Sequence, residues 1–466
     1  MSISVALTTA LSGLGTAQTG MQTVSQNIAN VNTEGYARKV VQPLSQNLAG
    51  VPSGVQIGPI RRMVEEFLVR DLREATSALN ERQTRQDYLA RIEQLFGGPQ
   101  DEAALGNVLS RFRSSLEALA TAPENLGLRG EAIRAGQELV DMMNSMSTAI
   151  QQIRGQADQI IGEGVALVNA QATMIASLNR EIVKGLANNQ DVTDLQDQRD
   201  RAVMAIAEQM KVTTYTRTDG SMVVANSAGR AIVDGAFAYT ITYAAQTNVV
   251  AATVFNPILL NGVNITGEFA SGRLAALVQQ RDTTLTARTA ELNQLAVQLR
   301  NTVTSGSLAT TDLVATAGVN EINRFFIGVD PANIDNAGGI RVHSDLIANP
   351  ALLNNLTAAR DLANAAASRT VNFAAAGQLP ALTTGFADYG NAILSRIASA
   401  GAQAQNEVTY QSSLRAALVN RVGAVSGVNL DEEMSRMVEW QRAYSAAARV
   451  VQASAEMLQV LEDMVR

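Results

Sequence analysis

The first 33 residues carry no charged side chain, and that limits what this end of the chain can become. Leu7, Leu14, Met21 and Ile28 fall at seven-residue steps, and Ala10, Ala17, Val24 and Val31 form a second row beside them. Apolar residues at that spacing share one face of an α-helix. With no charge on the remaining faces, such a helix is a poor free-standing surface and needs a cover. The C-terminal end repeats the pattern with Leu430, Met437, Tyr444, Val451, Leu458 and Val465. The two ends are expected to pair. Leu7, Leu14, Met21, Val24 and Ile28, with Leu430, Met437, Tyr444, Val451 and Leu458, are the expected assembly interface.

The N-terminal helix is read over 3–31. Gly13, Gly15 and Gly20 lie inside it, each at a cost of about 1 kcal/mol against alanine. A neighbour packed where the Cβ is missing would offset that. Asn27, Asn30, Asn32, Gly35 and Tyr36 mark the turn that follows, because Asn and Gly tolerate left-handed backbone angles. Extended chain is expected over 36–45 and a short strand over 54–60. Helical period returns over 64–96, 101–121 and 128–187, the last with weak points at Gly155 and Gly162–Gly164. A capping box at Thr193-Asp194-Leu195-Gln196 opens another helix to 210. Residues 212–267 change to β character. Asp219-Gly220 is a hairpin signal between strands 212–216 and 222–225, with further strands at 238–243 and 249–255. Helix resumes over 271–304 and 384–425, the second weakest at Gly401, and Asn429 caps the last helix with Glu432 at the capping-box position.

The fold class is therefore mainly α with β inserts: a long helical bundle, paired terminal coiled-coil helices and small β-rich inserted domains. The terminal coiled-coil domain takes 1–45 and 425–466. The helical domain takes 46–211, 268–304 and 379–424. A β-rich insert takes 212–267 and a mixed insert 305–378.

Composition removes several functions. Net charge is −7, which argues against nucleic acid, because phosphate binding needs a basic patch. There is no cysteine, so disulfides and thiolate chemistry are excluded. No run of 18 apolar residues occurs, so no membrane insertion is expected. The N-terminus lacks the basic and apolar regions of a general secretory signal. His343 is the one histidine, and His343-Ser344-Asp345 are consecutive, which cannot make a catalytic triad by themselves. Gly13-Leu14-Gly15 followed by Gly20 misses the dinucleotide spacing. Asp194, Asp197 and Arg201 read as a solvated helix face laced by Arg199 and Arg201. No catalytic, cofactor-binding or metal-binding residue is expected, and the chain is not read as an enzyme.

Particular residues narrow the class. Ala10-Leu11-Ser12-Gly13-Leu14 and the run from Ser25 to Tyr36 resemble the N-terminal signature of bacterial flagellar rod, hook and hook-associated proteins. Ser426 to Met434, Gln441-Arg442-Ala443-Tyr444 and Ala455-Glu456-Met457-Leu458 look like the matching C-terminal end. Tyr36-Ala37-Arg38-Lys39 after the turn is similar to the flagellar hook-associated protein 1 family, the hook–filament junction proteins. Asp71-Leu72-Arg73, Ile92 to Gly97 and Asp194 to Asp200 resemble that family's helical domain. The likeness covers about 1–235, 268–304 and 380–466. It implies a structural component exported to the outside of the cell, into the bacterial flagellum, through the type III channel without a cleaved signal. It also implies a homo-oligomeric ring with the hook protein on one side and a further hook-associated protein on the filament side. An export chaperone at the C-terminal helix is expected before assembly. The termini alone would also suit a hook or distal-rod protein, and an enzyme-bearing axial fusion is the more distant alternative.

Overall fold

The computed structural model describes residues 3–48, 51–98, 101–303, 324–329, 334–353 and 371–465. Helix α1 (Ile3–Ala29) stops two residues short of the expected end. The chain then forms β1 (Lys39–Val40), a hairpin of β2 (Pro43–Leu48) and β3 (Val51–Ile57), and β4 (Arg61–Arg62), which returns to pair antiparallel with β1. The hairpin lies along α1. The Ser12 hydroxyl accepts from Val55 N at 3.1 Å, and a Cβ on Gly54, at φ +136°, would stand 2.4 Å from that oxygen. Glycine is what lets the strand come this close.

The middle is a helical bundle built on one long element. Helix α2 (Glu66–Phe96) is followed by α3 (Leu105–Thr121) and by α4 (Leu126–Ala187), capped by the Asn125 carboxamide. The glycines expected to weaken α4 do not break it: it runs 62 residues without interruption. Gly164 is a packing notch, since a Cβ there would lie 2.8 Å from Leu274 on α6 (Arg273–Gln279), and Leu274 is fully buried. Burying that side chain, worth roughly 1.5–3 kcal/mol, outweighs the glycine penalty of about 1 kcal/mol. An 18-residue window of α4 has mean hydropathy 1.2, apolar enough to cross a membrane by length and composition. Polar residues interrupt it throughout, so it holds no continuous apolar run of that length. Its apolar residues have a packing reason: Ile150, Ala157, Ile161, Val168 and Ile175 are all core.

Helix α5 (Thr193–Gln209) lies on α4. Its cap differs from the expected box. Thr193 is the first helical residue, and the Asp191 carboxylate accepts from its backbone N at 2.9 Å and its hydroxyl at 2.7 Å. The penultimate helix (Phe386–Ser426) runs antiparallel along α2, with Arg85 facing Glu407 and Arg415 facing Thr76. The C-terminal helix (Leu430–Val465) follows after a three-residue break.

The β character over 212–267 resolves into two small antiparallel sheets. One has the order β5 (Val212–Thr216), β6 (Met222–Asn226), β7 (Ala231–Asp234), β8 (Phe237–Ala238), with Val224, Ile232 and Val233 buried toward α4. The other joins β9 (Ile241–Thr242), β10 (Leu259–Leu260) and β11 (Val263–Asn264). The strand expected at 249–255 is not formed. Phe255 instead lies beneath two guanidinium groups, Arg281 at 4.2 Å and Arg154 at 5.0 Å. Arg281 sits on a π-helical turn (Gln280–Thr284) that leads into α7 (Leu285–Thr302), and it bridges buried Asp158 at 2.6 Å. The β-branched alternation could not reveal that the aromatic residue was needed under two cations.

Of the expected mixed insert at 305–378, residues 305–323, 330–333 and 354–370 lie outside the described residues. The remainder contributes the pairs β12 (Phe326–Ile327) with β13 (Arg341–Val342) and β14 (Val371–Phe373) with β15 (Leu382–Thr384). Their side chains join the same core as the helices. Phe325 and Phe326 pack on Phe112, and Phe373 stacks on Tyr389 at 3.9 Å. His343 is buried, and its Nδ1 accepts from Asp345 N, capping the short helix Ser344–Ala348.

Candidate functional site: the paired chain ends

Helix α1 and the C-terminal helix pack antiparallel along a seam that steps by seven residues on both sides. Asn27 meets Glu433, Gly20 meets Trp440, and Gly13 meets Ala447. Ser454, buried, continues the row. A seven-residue step keeps each row facing its partner along the length. A Cβ on Gly20 would stand 2.4 Å from the Trp440 ring, so the indole lies directly on helix backbone. A Cβ on Gly13 would make ordinary contact with Ala447 at 3.8 Å. Gly15 has open space around it, so close approach within the chain does not account for that glycine. Ala10, Ala17 and Val24 are buried beside the seam with Thr16 and Thr23. Those two hydroxyls donate to the Ser12 and Thr19 carbonyls of their own helix, which is how polar side chains tolerate the position.

At its lower end the seam closes in a polar knot. Asn27 is fully buried and uses its whole carboxamide. Nδ2 donates to Lys39 O and to Glu433 Oε2, both at 2.9 Å, while Oδ1 accepts from Lys39 N at 3.0 Å and from the Tyr36 hydroxyl at 2.9 Å. One side chain thus replaces a strand partner for Lys39. Arg38 closes the other side, donating from Nε to Glu433 Oε1 and bridging Glu432 from Nη2, each at 2.8 Å. Asn429 caps the C-terminal helix by accepting from Asp431 N at 3.0 Å and Glu432 N at 3.4 Å. Glu432 therefore serves Arg38 rather than completing a capping box. Gly35 turns the chain at φ +73°, with the Arg201 stem against it. Burial raises the Tyr36 phenol above its usual range, with Asp194 and Asp197 adding to the effect.

Helix α5 supplies the floor. Asp194 pairs with Lys39, Asp197 with Arg62 at 2.7 Å, and Asp200 also with Arg62. The solvated-face reading holds for Asp194 and Arg201, which are exposed, and is corrected for Asp197 and Arg199, which are buried, Arg199 donating to Asn179 Oδ1 and Gly220 O. Among the described residues, no three metal-ligating side chains converge.

Burial pushes the Asp197 carboxyl up to about 6, with Arg62 and Lys39 pulling it back. An unfolded aspartate titrates near about 4. A folded value above the unfolded one gives stability that is fully present below pH 4 and is lost as pH rises through 6. Raising pH from 4 to 7 should therefore lower the parent's stability relative to Asp197→Asn by up to about 2–3 kcal/mol. Urea midpoints of the two proteins across that range check this, and parallel profiles would count against it.

The structure divides the residues singled out by spacing. Leu7, Leu14, Met21 and Ile28 flank the seam, half-buried, and Val24 is buried in it. Met437 and Val451 are half-buried, whereas Leu430, Tyr444 and Leu458 are 47, 39 and 45% exposed. The Val465 side chain lies outside the described residues. Asn27, Gly35 and Tyr36 come together in the knot. Asn30 donates to Gln26 O and accepts from Thr33, and Asn32 is exposed. Sequence reasoning assigned no role to Lys39, Arg62, Glu433 or Trp440. Glu433 is the third of three consecutive acids, Asp431 to Glu433, so spacing alone does not single it out.

Three family models match the chain. Residues 7–36 match the flagella basal body rod protein model, and residues 423–464 match the C-terminal model of the flagellar basal body rod FlgEFG proteins. Residues 89–320 match the helical domain of flagellar hook-associated protein FlgK. Flagellar hook-associated protein 1 of Salmonella typhimurium is 30% identical over 239 residues, 49% of this chain and 42% of that protein, so the match spans less than half of the relative. The Bacillus subtilis protein of the same name is 24% identical, covering 97% of this chain and 96% of its own length. The solved flagellar hook junction protein FlgK from Burkholderia pseudomallei is 21% identical, with a TM-score of 0.44 over 51% of this chain and 44% of that one. The helical middle is thus similar to the helical domain of the flagellar hook-associated protein 1 family, and both ends are similar to flagellar axial proteins.

Proposed function

We propose that the chain is a structural subunit of the bacterial flagellum, without enzymatic activity, that forms the junction between hook and filament. It is exported through the type III channel and assembles outside the cell as a ring of identical copies. Hook protein adjoins it on one side and a further hook-associated protein on the other. The end matches alone would suit a rod or hook subunit equally; the match over 89–320 favours the junction.

The observation that carries the reading is the uncovered side of the C-terminal helix. The small residues of α1 take up its Glu433–Trp440–Ala447 row and leave the bulky row outside. Leu430, Met434, Tyr444 and Leu458 are between 39 and 55% exposed. Bulky apolar side chains left exposed along a helix in this way mark an interaction surface. Neighbouring copies would cover it in the ring, and an export chaperone would cover it before that.

Leu458→Asp tests the reading. The side chain is exposed in the single subunit, so the folded chain should be little affected, while a charge in a closed interface costs several kcal/mol. A strain lacking the parental chain and supplied with the variant should form no hook–filament junctions and lose motility, also when the folded variant is added from outside. Normal junctions under electron microscopy would reject the assembly role of this face.

A further inference from the structure

The terminal unit, made of α1, β1–β4 and the C-terminal helix, joins the helical bundle through two short chain crossings, 63–65 and 427–429. Ion pairs are prominent among the contacts that hold the two units face to face besides these crossings. Lys39 and Arg62 stand directly opposite one another on the two-residue β1–β4 ladder. Like charges in that position repel. Both nevertheless have largely buried side chains, 1 and 12% exposed. Across the joint, Asp194, Asp197 and Asp200 occupy one face of α5 at three-residue steps, and they too would repel if left alone. Each set makes the other tolerable: buried Lys39 pairs with Asp194, itself 68% exposed, and Arg62 with buried Asp197 and with Asp200. Other contacts also cross the joint, among them the Arg201 stem against Gly35. Arg201 Nη1 reaches Glu34 O at 3.5 Å, and Arg38 N donates to Ser426 O at 2.8 Å.

We propose that this five-charge cluster is a latch that fixes the angle between the paired terminal helices and the helical bundle, and that its opening frees the pair to swing on the two crossings. An apolar joint would tolerate sliding, because burial has no direction. Buried ion pairs lose their partners on a small displacement, and an unpaired buried charge is strongly disfavoured. The joint therefore has a docked state of one geometry and a released state with both charge sets hydrated, and few arrangements between.

The chain has no cysteine, so two introduced cysteines are its only label sites. Spin labels at Gln18→Cys on α1 and Thr173→Cys on α4, both exposed, report the angle as a distance distribution. The parent should give one narrow distribution. Asp197→Lys with Asp200→Lys should broaden it. A second pair of labels, at Gln18→Cys and Ala446→Cys, should stay narrow in both, showing that the terminal helices remain paired. Where the reversed variant loses helical circular dichroism, Lys39→Gln with Arg62→Gln removes the opposite charges and should broaden the distribution in the same way. A broad distribution in the parent, or a narrow unchanged one in a folded charge variant, overturns the latch.

Discussion

Replacing Glu433 by alanine should cost the terminal pairing on the order of 3–5 kcal/mol, the range for removing one partner of a buried ion pair. Glu433 is fully buried and is the acceptor for both Asn27 Nδ2 and Arg38 Nε. Its loss strands a buried carboxamide hydrogen and leaves Arg38 only the exposed Glu432. Trp440 is the one tryptophan in the chain and lies on the seam, so its fluorescence follows the pairing directly. In Glu433→Ala the urea midpoint read from Trp440 should fall well below that read from the helical signal of the whole chain, whereas the two lie closer in the parent. Glu433→Gln, which keeps an acceptor for Asn27 but no charge for Arg38, should fall between. An unchanged Trp440 midpoint in the alanine variant would show that the knot contributes little.

Two glycines five residues apart on one helix should respond with opposite signs. Gly15→Ala places its methyl in open space and should stabilise α1 by up to about 1 kcal/mol, the ordinary helix-propensity gain. Gly20→Ala brings the same methyl to 2.4 Å from two atoms of the Trp440 ring. The indole must move off the seam, and overpacking of this kind costs about 1–3 kcal/mol, more than the propensity gain. The Trp440 emission should shift in Gly20→Ala as the ring is displaced and stay unchanged in Gly15→Ala. A stabilising Gly20→Ala would mean that the ring does not rest on the backbone there.

Much of the architecture was legible because it depends on local pattern. The hairpin at Asp219-Gly220 forms as its turn chemistry requires, with Gly220 at φ +86° and the Asp219 carboxylate accepting from Ser221 N. The bundle helices lie where their period placed them, within a few residues at each end. The errors share one physical cause. Glycine was read as a breaker in α4, where Gly164 is a notch for Leu274, because a sequence shows the missing Cβ but not the neighbour that needs the space. The run 249–255 was read as strand, because its alternation carries no mark of the two arginines above Phe255, one of them 26 residues away in sequence. Asp197 on α5 has the sequence look of a solvated acid, because Arg62, which buries it, lies more than 130 residues away.

For the chain ends, sequence alone determined the period, the lack of charge on α1 and the need for a cover, since these follow from composition and spacing. It did not determine the phase. Spacing selected the bulky row from Leu430 to Leu458, because large apolar residues are the usual seam. Only the tertiary structure decided that the inner row is Glu433, Trp440, Ala447 and Ser454. The physical reason lies on the partner: Gly13, Gly20 and Asn27 leave room for an indole and supply a donor for a carboxylate, and neither property belongs to the helix that carries those groups.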